Sequence, residues 1–188
     1  MRVIAGSRRG TGLVTPEGEH TRPTTDKTKE TLFNVLMQDI WDSRFLDLFS
    51  GSGGIAIEAL SRGAACAYMV ENDKRAVACI RSNLKKVRFE EPQAVLYTGD
   101  YKTALEQMSA EHKEFDLVFM DPPYHKGLEK EALSLLKEKK LLSRDAVVVA
   151  EAALDTDFSY IDELGYRIWK VKSYKTNQHV FLLHREEE

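Results

Sequence analysis

Cysteine is scarce: Cys66 and Cys79 are the only two in 188 residues. Both sit in apolar contexts without metal-ligand spacing, which argues against a zinc site and reads them as reduced core residues. The five histidines form no cluster either, so no metal is expected. Long apolar runs are missing too. None approaches the roughly 20 residues that span a bilayer, and the opening Met1-Arg2-Val3-Ile4-Ala5-Gly6 lacks the apolar segment of a signal peptide. A cytoplasmic enzyme with no membrane partner is the simplest expectation. Excess positive charge is also lacking: the net charge of −3 excludes a uniformly basic nucleic-acid binder. Its distribution is uneven, however. The first sixteen residues carry Arg2, Arg8 and Arg9 and no acid, and Tyr166 to Val180 carries Arg167, Lys170, Lys172 and Lys175 and no acid. On one face these would make a local surface able to displace counterions from a phosphate backbone; scattered, they are ordinary solvated charges.

The length suits one domain, and 43% apolar with 30% charged residues is a globular composition. From residue 45 onward, short apolar runs alternate with amphipathic stretches, the pattern of a parallel sheet covered by helices. The runs are Phe45 to Phe49, Ala67 to Val70, Ala94 to Tyr97, Leu117 to Met120 and Ala146 to Ala150. Helical spacing marks Ile55 to Arg62, Lys74 to Val87, Tyr101 to Ala110 and Leu128 to Lys139, and a short fifth helix is expected near Phe158 to Leu164. Two closing strands, Arg167 to Val171 and His179 to Leu183, are too close in sequence for a parallel crossover and must be antiparallel. Seven strands with the last reversed is the Rossmann-like methyltransferase arrangement. Residues 1–42 read as an integrated extension and 43–188 as the catalytic core. In the extension, Val3 and Ile4 suggest a strand, glycines at 6, 10, 12 and 18 a hairpin or loop, and Thr25 or Asp26 the cap of a helix running to Trp41. Leu32, Phe33, Leu36 and Ile40 give that helix its apolar face.

Two motifs carry chemistry. The first core strand runs through Asp47 and Phe49 into Ser50-Gly51-Ser52-Gly53, a turn whose glycines allow positive φ and close approach of a ligand. That pattern also fits dinucleotide binding. Glu71, twenty positions after Gly51 and followed by Asn72, suits a pair of ribose hydroxyls in either class of cofactor. Asp47 discriminates better: a carboxylate inside an apolar strand is costly and makes sense facing the cationic end of a bound methionine moiety. Asp100, followed by Tyr101, suits an adenine amino group, or simply caps the next helix. The second motif is Asp121-Pro122-Pro123-Tyr124. A nucleobase amine is a poor nucleophile because its lone pair is delocalised into the ring. The Asp121 carboxylate and the Pro122 carbonyl would accept its N–H bonds, Pro123 would stiffen the turn, and the Tyr124 ring would stack on the base. Asp47, Glu71, Asp100 and Asp121 come from four successive strands and should line one cleft.

With these residues the chain resembles the RsmD-like family of bacterial 16S rRNA guanine-N2 methyltransferases over essentially its whole length. The matching segments are Arg2-Val3-Ile4-Ala5-Gly6, Arg22-Pro23-Thr24-Thr25-Asp26, Lys29-Glu30-Thr31-Leu32-Phe33-Asn34, the Asp47 glycine turn and Asp121-Pro122-Pro123-Tyr124. The resemblance implies S-adenosylmethionine as donor, S-adenosylhomocysteine as product and guanine N2 as acceptor. It also implies 16S rRNA as partner, within an assembled or partly assembled 30S particle, and an N-terminal extension that recognises RNA through residues such as Arg2, Arg8, Arg9 and Arg22. Late in the chain, Tyr174-Lys175-Thr176-Asn177 departs from relatives that have a glycine there. Rival expectations are an adenine-N6 methyltransferase on DNA or RNA, and an inactive domain serving as an RNA-binding assembly factor. A monomer is the default.

Overall fold

The chain's apolar runs become strands β1 (Arg44–Leu48), β2 (Cys66–Glu71), β3 (Ala94–Thr98), β4 (Phe115–Met120), β5 (Leu142–Ala153), β6 (Tyr166–Ser173) and β7 (Asn177–His184) in a computed structural model that describes residues 1–16 and 25–185. They form one sheet in the order β3-β2-β1-β4-β5-β7-β6. Strands β1 to β5 pair in parallel, and β7 lies antiparallel between β5 and β6. The central strands are buried on both faces, as continuous apolar sequence requires: Phe45, Leu46, Leu48, Leu117, Val118 and Met120 are all essentially inaccessible. Each such side chain contributes about 1.5–3 kcal/mol of burial.

Helices α1 (Asp26–Val35), α2 (Gly54–Ser61), α3 (Lys74–Val87), α4 (Tyr101–Ala110) and α5 (Leu128–Glu138) supply the other layers. α3 shows why such segments are helical. Asp73 caps it by accepting from the Arg75 and Ala76 amides, Ala76, Val77, Ile80 and Val87 form its buried stripe, and Lys85 and Lys86 sit at its negative end. One core cluster packs α1 and α2 with Phe45, Leu117 and Phe119, and a second packs α4 and α5 with Leu46, Val118 and Leu182.

The N-terminal segment is fastened by a buried ion pair. Lys29 of α1 and Glu58 of α2 are both fully buried, 3.1 Å apart. Glu58 also accepts from the amides of Ile4 at 2.8 Å and Ala5 at 2.9 Å, and Lys29 Nζ donates to the Arg2 carbonyl. Burial pulls the Lys29 pKa down, with Glu58 working against it. Both oxygens of this carboxylate are used to fix segment to core.

Four local expectations are corrected. Val3 and Ile4 form no strand; a single bridge, Arg2 to Gly12, closes a loop around a 3-10 turn at Gly6–Arg8. α1 stops at Val35 rather than Trp41, because the chain must reverse into β1. Asp42 adopts φ 58° and its amide donates to the Gly63 carbonyl, leaving Leu36 and Ile40 buried in turns. Phe158 to Leu164 forms turns, ended by Gly165 at φ 78°; its amides bond back over mixed spacings, Ile161 to Phe158, Leu164 to Tyr160 and Tyr166 to Ile161, so no regular i to i−4 ladder forms. Cys66 and Cys79 are free thiols but half-exposed, not core residues. Among the described residues, no helix is long and apolar enough to cross a membrane.

Candidate active site

Parallel pairing brings the carboxyl ends of β1, β2, β3 and β4 to one edge of the sheet, where the crossovers to the helices open a crevice. A cleft of about 1340 Å³ lies there. Its walls include Asp47, Phe49, Ser50, Gly51 and Ser52 from the first turn, with Glu71, Asn72, Asp100 and Tyr101 beside them. Asp121, Pro122, Pro123 and Tyr124 line the same space, as does Lys175. The N-terminal segment contributes Met1, Thr15, Pro16, Thr25 and Thr28 to one side.

The glycine turn is held rigid by its own polar groups. Ser50 Oγ donates to the Asp47 carbonyl at 2.6 Å and accepts from the Val70 amide at 3.0 Å. Asn83, buried on α3, donates to the Ser52 carbonyl at 2.9 Å. Phe49 sits at φ 72°, a left-handed conformation that costs a bulky residue about 1–3 kcal/mol, and its ring packs on Tyr101 at 5.0 Å. Gly51, at φ 55°, has nothing within 4 Å of where a Cβ would stand, so its backbone is open to a ligand. Gly53 differs from the sequence expectation: it is absent from the cleft wall, and a Cβ there would meet Met69 and Ile80 at 3.3 Å. Its absent side chain serves packing at the start of α2.

Asp47 is buried, accepts from the Ala56 amide at 3.2 Å, and has its pKa pushed up to about 7, chiefly by burial and partly by Glu71. Glu71 Oε2 accepts from the Gly51 amide at 2.7 Å, and Oε1 accepts from the Asn72 and Asp73 amides at 2.9 and 2.8 Å. Strand end and glycine turn are thereby tied together. Asp100 caps α4 through the Lys102 amide at 2.9 Å and faces the cleft as well, so both readings of that residue describe it. Tyr101 OH donates to Glu131 at 2.6 Å.

On the acceptor side, Pro122 is buried while Pro123 and Tyr124 are exposed. Burial raises the Asp121 pKa well above its ordinary value, with Glu151 and then Asp47 adding to it. Glu151 was not among the residues expected from sequence. It lies on β5 directly opposite His179 on β7, lines the cleft, and accepts from Tyr124 OH at 3.0 Å. A carboxylate inside the apolar run from Ala146 to Ala153 is the same signal that marked Asp47.

Most of the expected RNA contacts lie away from the cleft wall. Arg2 is exposed and pairs with Asp26 at 2.8 Å. Arg8 is anchored, donating to the Val87 carbonyl at 2.6 Å with its guanidinium 5.0 Å from the Phe89 ring. Arg9 is exposed and Lys172 half-buried on β6. Arg22 falls outside the described residues, as do Pro23 and Thr24 of the family-like Arg-Pro-Thr segment, and Gly18. No cluster of three or more metal-ligating side chains occurs among the described residues.

The family described as "Conserved hypothetical protein 95" matches residues 1–183. The curated relative "Putative rRNA methyltransferase YlbH" of Bacillus subtilis is 42% identical over 151 residues, covering 80% of this chain and 82% of the relative. "Ribosomal RNA small subunit methyltransferase D" of Haemophilus influenzae is 39% identical over 155 residues, covering 82% of this chain and 80% of the relative. A solved structure, "Putative methyltransferase yhhF from Escherichia coli", superposes with a TM-score of 0.85 at 29% identity, covering 100% of this chain and 99% of that one.

Proposed function

The chain belongs to the Conserved hypothetical protein 95 family and has the Rossmann-like methyltransferase fold, and from that premise we propose that it transfers a methyl group from S-adenosylmethionine to the exocyclic N2 of a guanine in 16S rRNA. One observation carries the reading: Asp121-Pro122-Pro123-Tyr124 opens into the same cleft as Gly51 and Glu71, so an acceptor amine and a nucleoside-bearing donor can share one space. Relatives named for methylation of small-subunit rRNA support the substrate class.

The residues fit the donor. Gly51 exposes backbone, Glu71 and Asp100 present carboxylates for ribose and adenine, and the buried Asp47 gains a reason for its charge when a cation arrives. When bound, the donor supplies a sulfonium methyl: the N2 lone pair forms the new C–N bond, the S–C pair stays on sulfur, and S-adenosylhomocysteine remains. This chain's own work is positioning. Asp121 and the Pro122 carbonyl hold the amine, Tyr124 stacks on the flipped base, and Asp121 takes the proton that N2 sheds on gaining its methyl. Orienting two reactants in this way is equivalent to about 7–11 kcal/mol of barrier, against a few kcal/mol for unstacking the base. Arg9, Lys172 and Lys175 are the basic residues assigned to RNA, and a monomer acting on an assembled or partly assembled 30S particle is the accompanying proposal.

The test is to incubate the protein with labelled S-adenosylmethionine and small-subunit particles from a strain lacking it, then identify the labelled nucleoside. N2-methylguanosine is expected. N6-methyladenosine would move the reading to the adenine class, and no transfer to any RNA would leave an assembly factor.

A further inference from the structure

Behind Tyr124 lies a polar network that methyl transfer as described does not use. Glu151 Oε1 accepts from Tyr124 OH at 3.0 Å and from Asn177 Nδ2 at 2.5 Å, while Oε2 is 3.0 Å from His179 Nε2. The His179 ring is fully buried, and its Nδ1 lies 3.3 Å from Tyr174 OH. An ionised carboxylate only accepts, so His179 presents Nε2–H to Glu151. Donors from β7 and from the turn after β4 thus converge on one buried carboxylate, with Tyr174 supporting the imidazole from behind. Nothing in strand pairing calls for it: an apolar residue at 151 would pack against β7 without the desolvation cost of a charge.

Resting on the functional reading above, we propose that Glu151 is the positioning residue of the acceptor half of the cleft, fixing the Tyr124 ring through its hydroxyl and holding a negative charge next to Asp121. Burial alone would push the Glu151 pKa up. The hydrogen bond and electrostatic interaction with His179, followed by Tyr124 and Asn177, outweigh it and keep the carboxyl below its usual range. Glu151 therefore stays ionised, and its charge, followed by that of Asp47 from β1 when ionised, adds to burial in raising the proton affinity of Asp121. Among the described residues, the titratable groups facing this corner are Asp47 from β1, Asp121 and Tyr124 from the turn after β4, Glu151 from β5, Tyr174 from the turn after β6, and His179 from β7, with Lys126 and Lys175 on the same cleft wall. The consequence is chemical. When N2 gains its methyl it must lose one N–H proton, and a carboxylate with raised proton affinity takes that proton more readily than an ordinary aspartate.

The experiment compares wild type, Glu151→Gln and Tyr124→Phe. Glu151→Gln keeps the shape and removes the charge. It is expected to lower kcat with donor affinity unchanged and to move the acid limb of the pH profile down by about one pH unit or more. Tyr124→Phe keeps the ring and the Glu151 charge, so it is expected to raise KM for RNA about threefold or more and to leave the acid limb in place. A second readout needs no turnover: carbon-13 NMR titration of the Asp121 carboxyl in donor-free protein, whose midpoint falls in Glu151→Gln. An unmoved midpoint or acid limb in folded Glu151→Gln overturns the proposal. If that variant fails to fold, an unchanged KM for RNA in Tyr124→Phe overturns it. A wild type that methylates no guanine N2 would refute the functional reading, while the NMR titration would still decide the role of Glu151.

Discussion

Replacing Asp47 with asparagine isolates the electrostatic cost stored beneath the glycine turn. Its carboxyl titrates near 7 in the folded chain against 3.8 ordinarily, a difference equivalent to roughly 4 kcal/mol at about 1.4 kcal/mol per pH unit. The sign follows from proton counts. Between those two pKa values the folded state holds a proton that the unfolded state has released, so stability is greatest at low pH and is lost as pH rises through the folded pKa. From about pH 5 to about pH 8 this one group should remove about 2–3 kcal/mol. The asparagine side chain of Asp47→Asn cannot titrate, yet its carbonyl can still accept from the Ala56 amide. Urea unfolding of both proteins across that range should therefore show wild type losing about 2–3 kcal/mol more than Asp47→Asn. Donor binding should reverse the effect: calorimetry near pH 6 in buffers of different ionisation enthalpy should detect more proton release on S-adenosylmethionine binding to wild type than to the variant, in which only Asp121 is left to release one. Parallel stability curves, or equal proton release, would refute the idea that Asp47 waits for a cation.

Asp121→Ala should reduce kcat about a hundredfold to a thousandfold, equivalent to about 3–4 kcal/mol, with donor affinity unchanged by calorimetry; turnover within tenfold of wild type would remove Asp121 from the acceptor role. Glu71→Ala should weaken S-adenosylmethionine binding about tenfold or more, since it removes a charged acceptor and also frees the Gly51 amide, and an unchanged Kd would be incompatible with that assignment. Glu58→Ala leaves the buried Lys29 ammonium unpaired and should cost about 3–5 kcal/mol in urea unfolding. A loss below about 1 kcal/mol would mean that the pair does not clamp the N-terminal segment.

Local sequence carried the fold a long way. Apolar runs of four or five residues separated by amphipathic stretches marked β1 to β5 and α2 to α5, because side-chain periodicity is a property of consecutive residues. The short connection from Lys172 to Gln178 marked the reversed last strand for the same reason. Signals failed where a longer-range demand overrode them: Leu36 and Ile40 keep helical spacing, yet the chain turns there to enter β1. The site divides along the same line. Asp47, Glu71 and Asp121, which line the cleft, were legible as candidates, each as a carboxylate that ends or interrupts an apolar strand. Glu151 carries that mark as well, but the meaning of its charge depends on His179, Asn177 and Tyr124, which lie between 26 and 28 positions away in sequence. Only the antiparallel register that sets Glu151 opposite His179 brings them together. Consecutive residues alone thus mark most of the core strands and helices and several of the carboxylates that line the cleft. Which of those side chains meet is settled by the folded chain, because their convergence depends on strand order and register, and neither is encoded in any single stretch of residues.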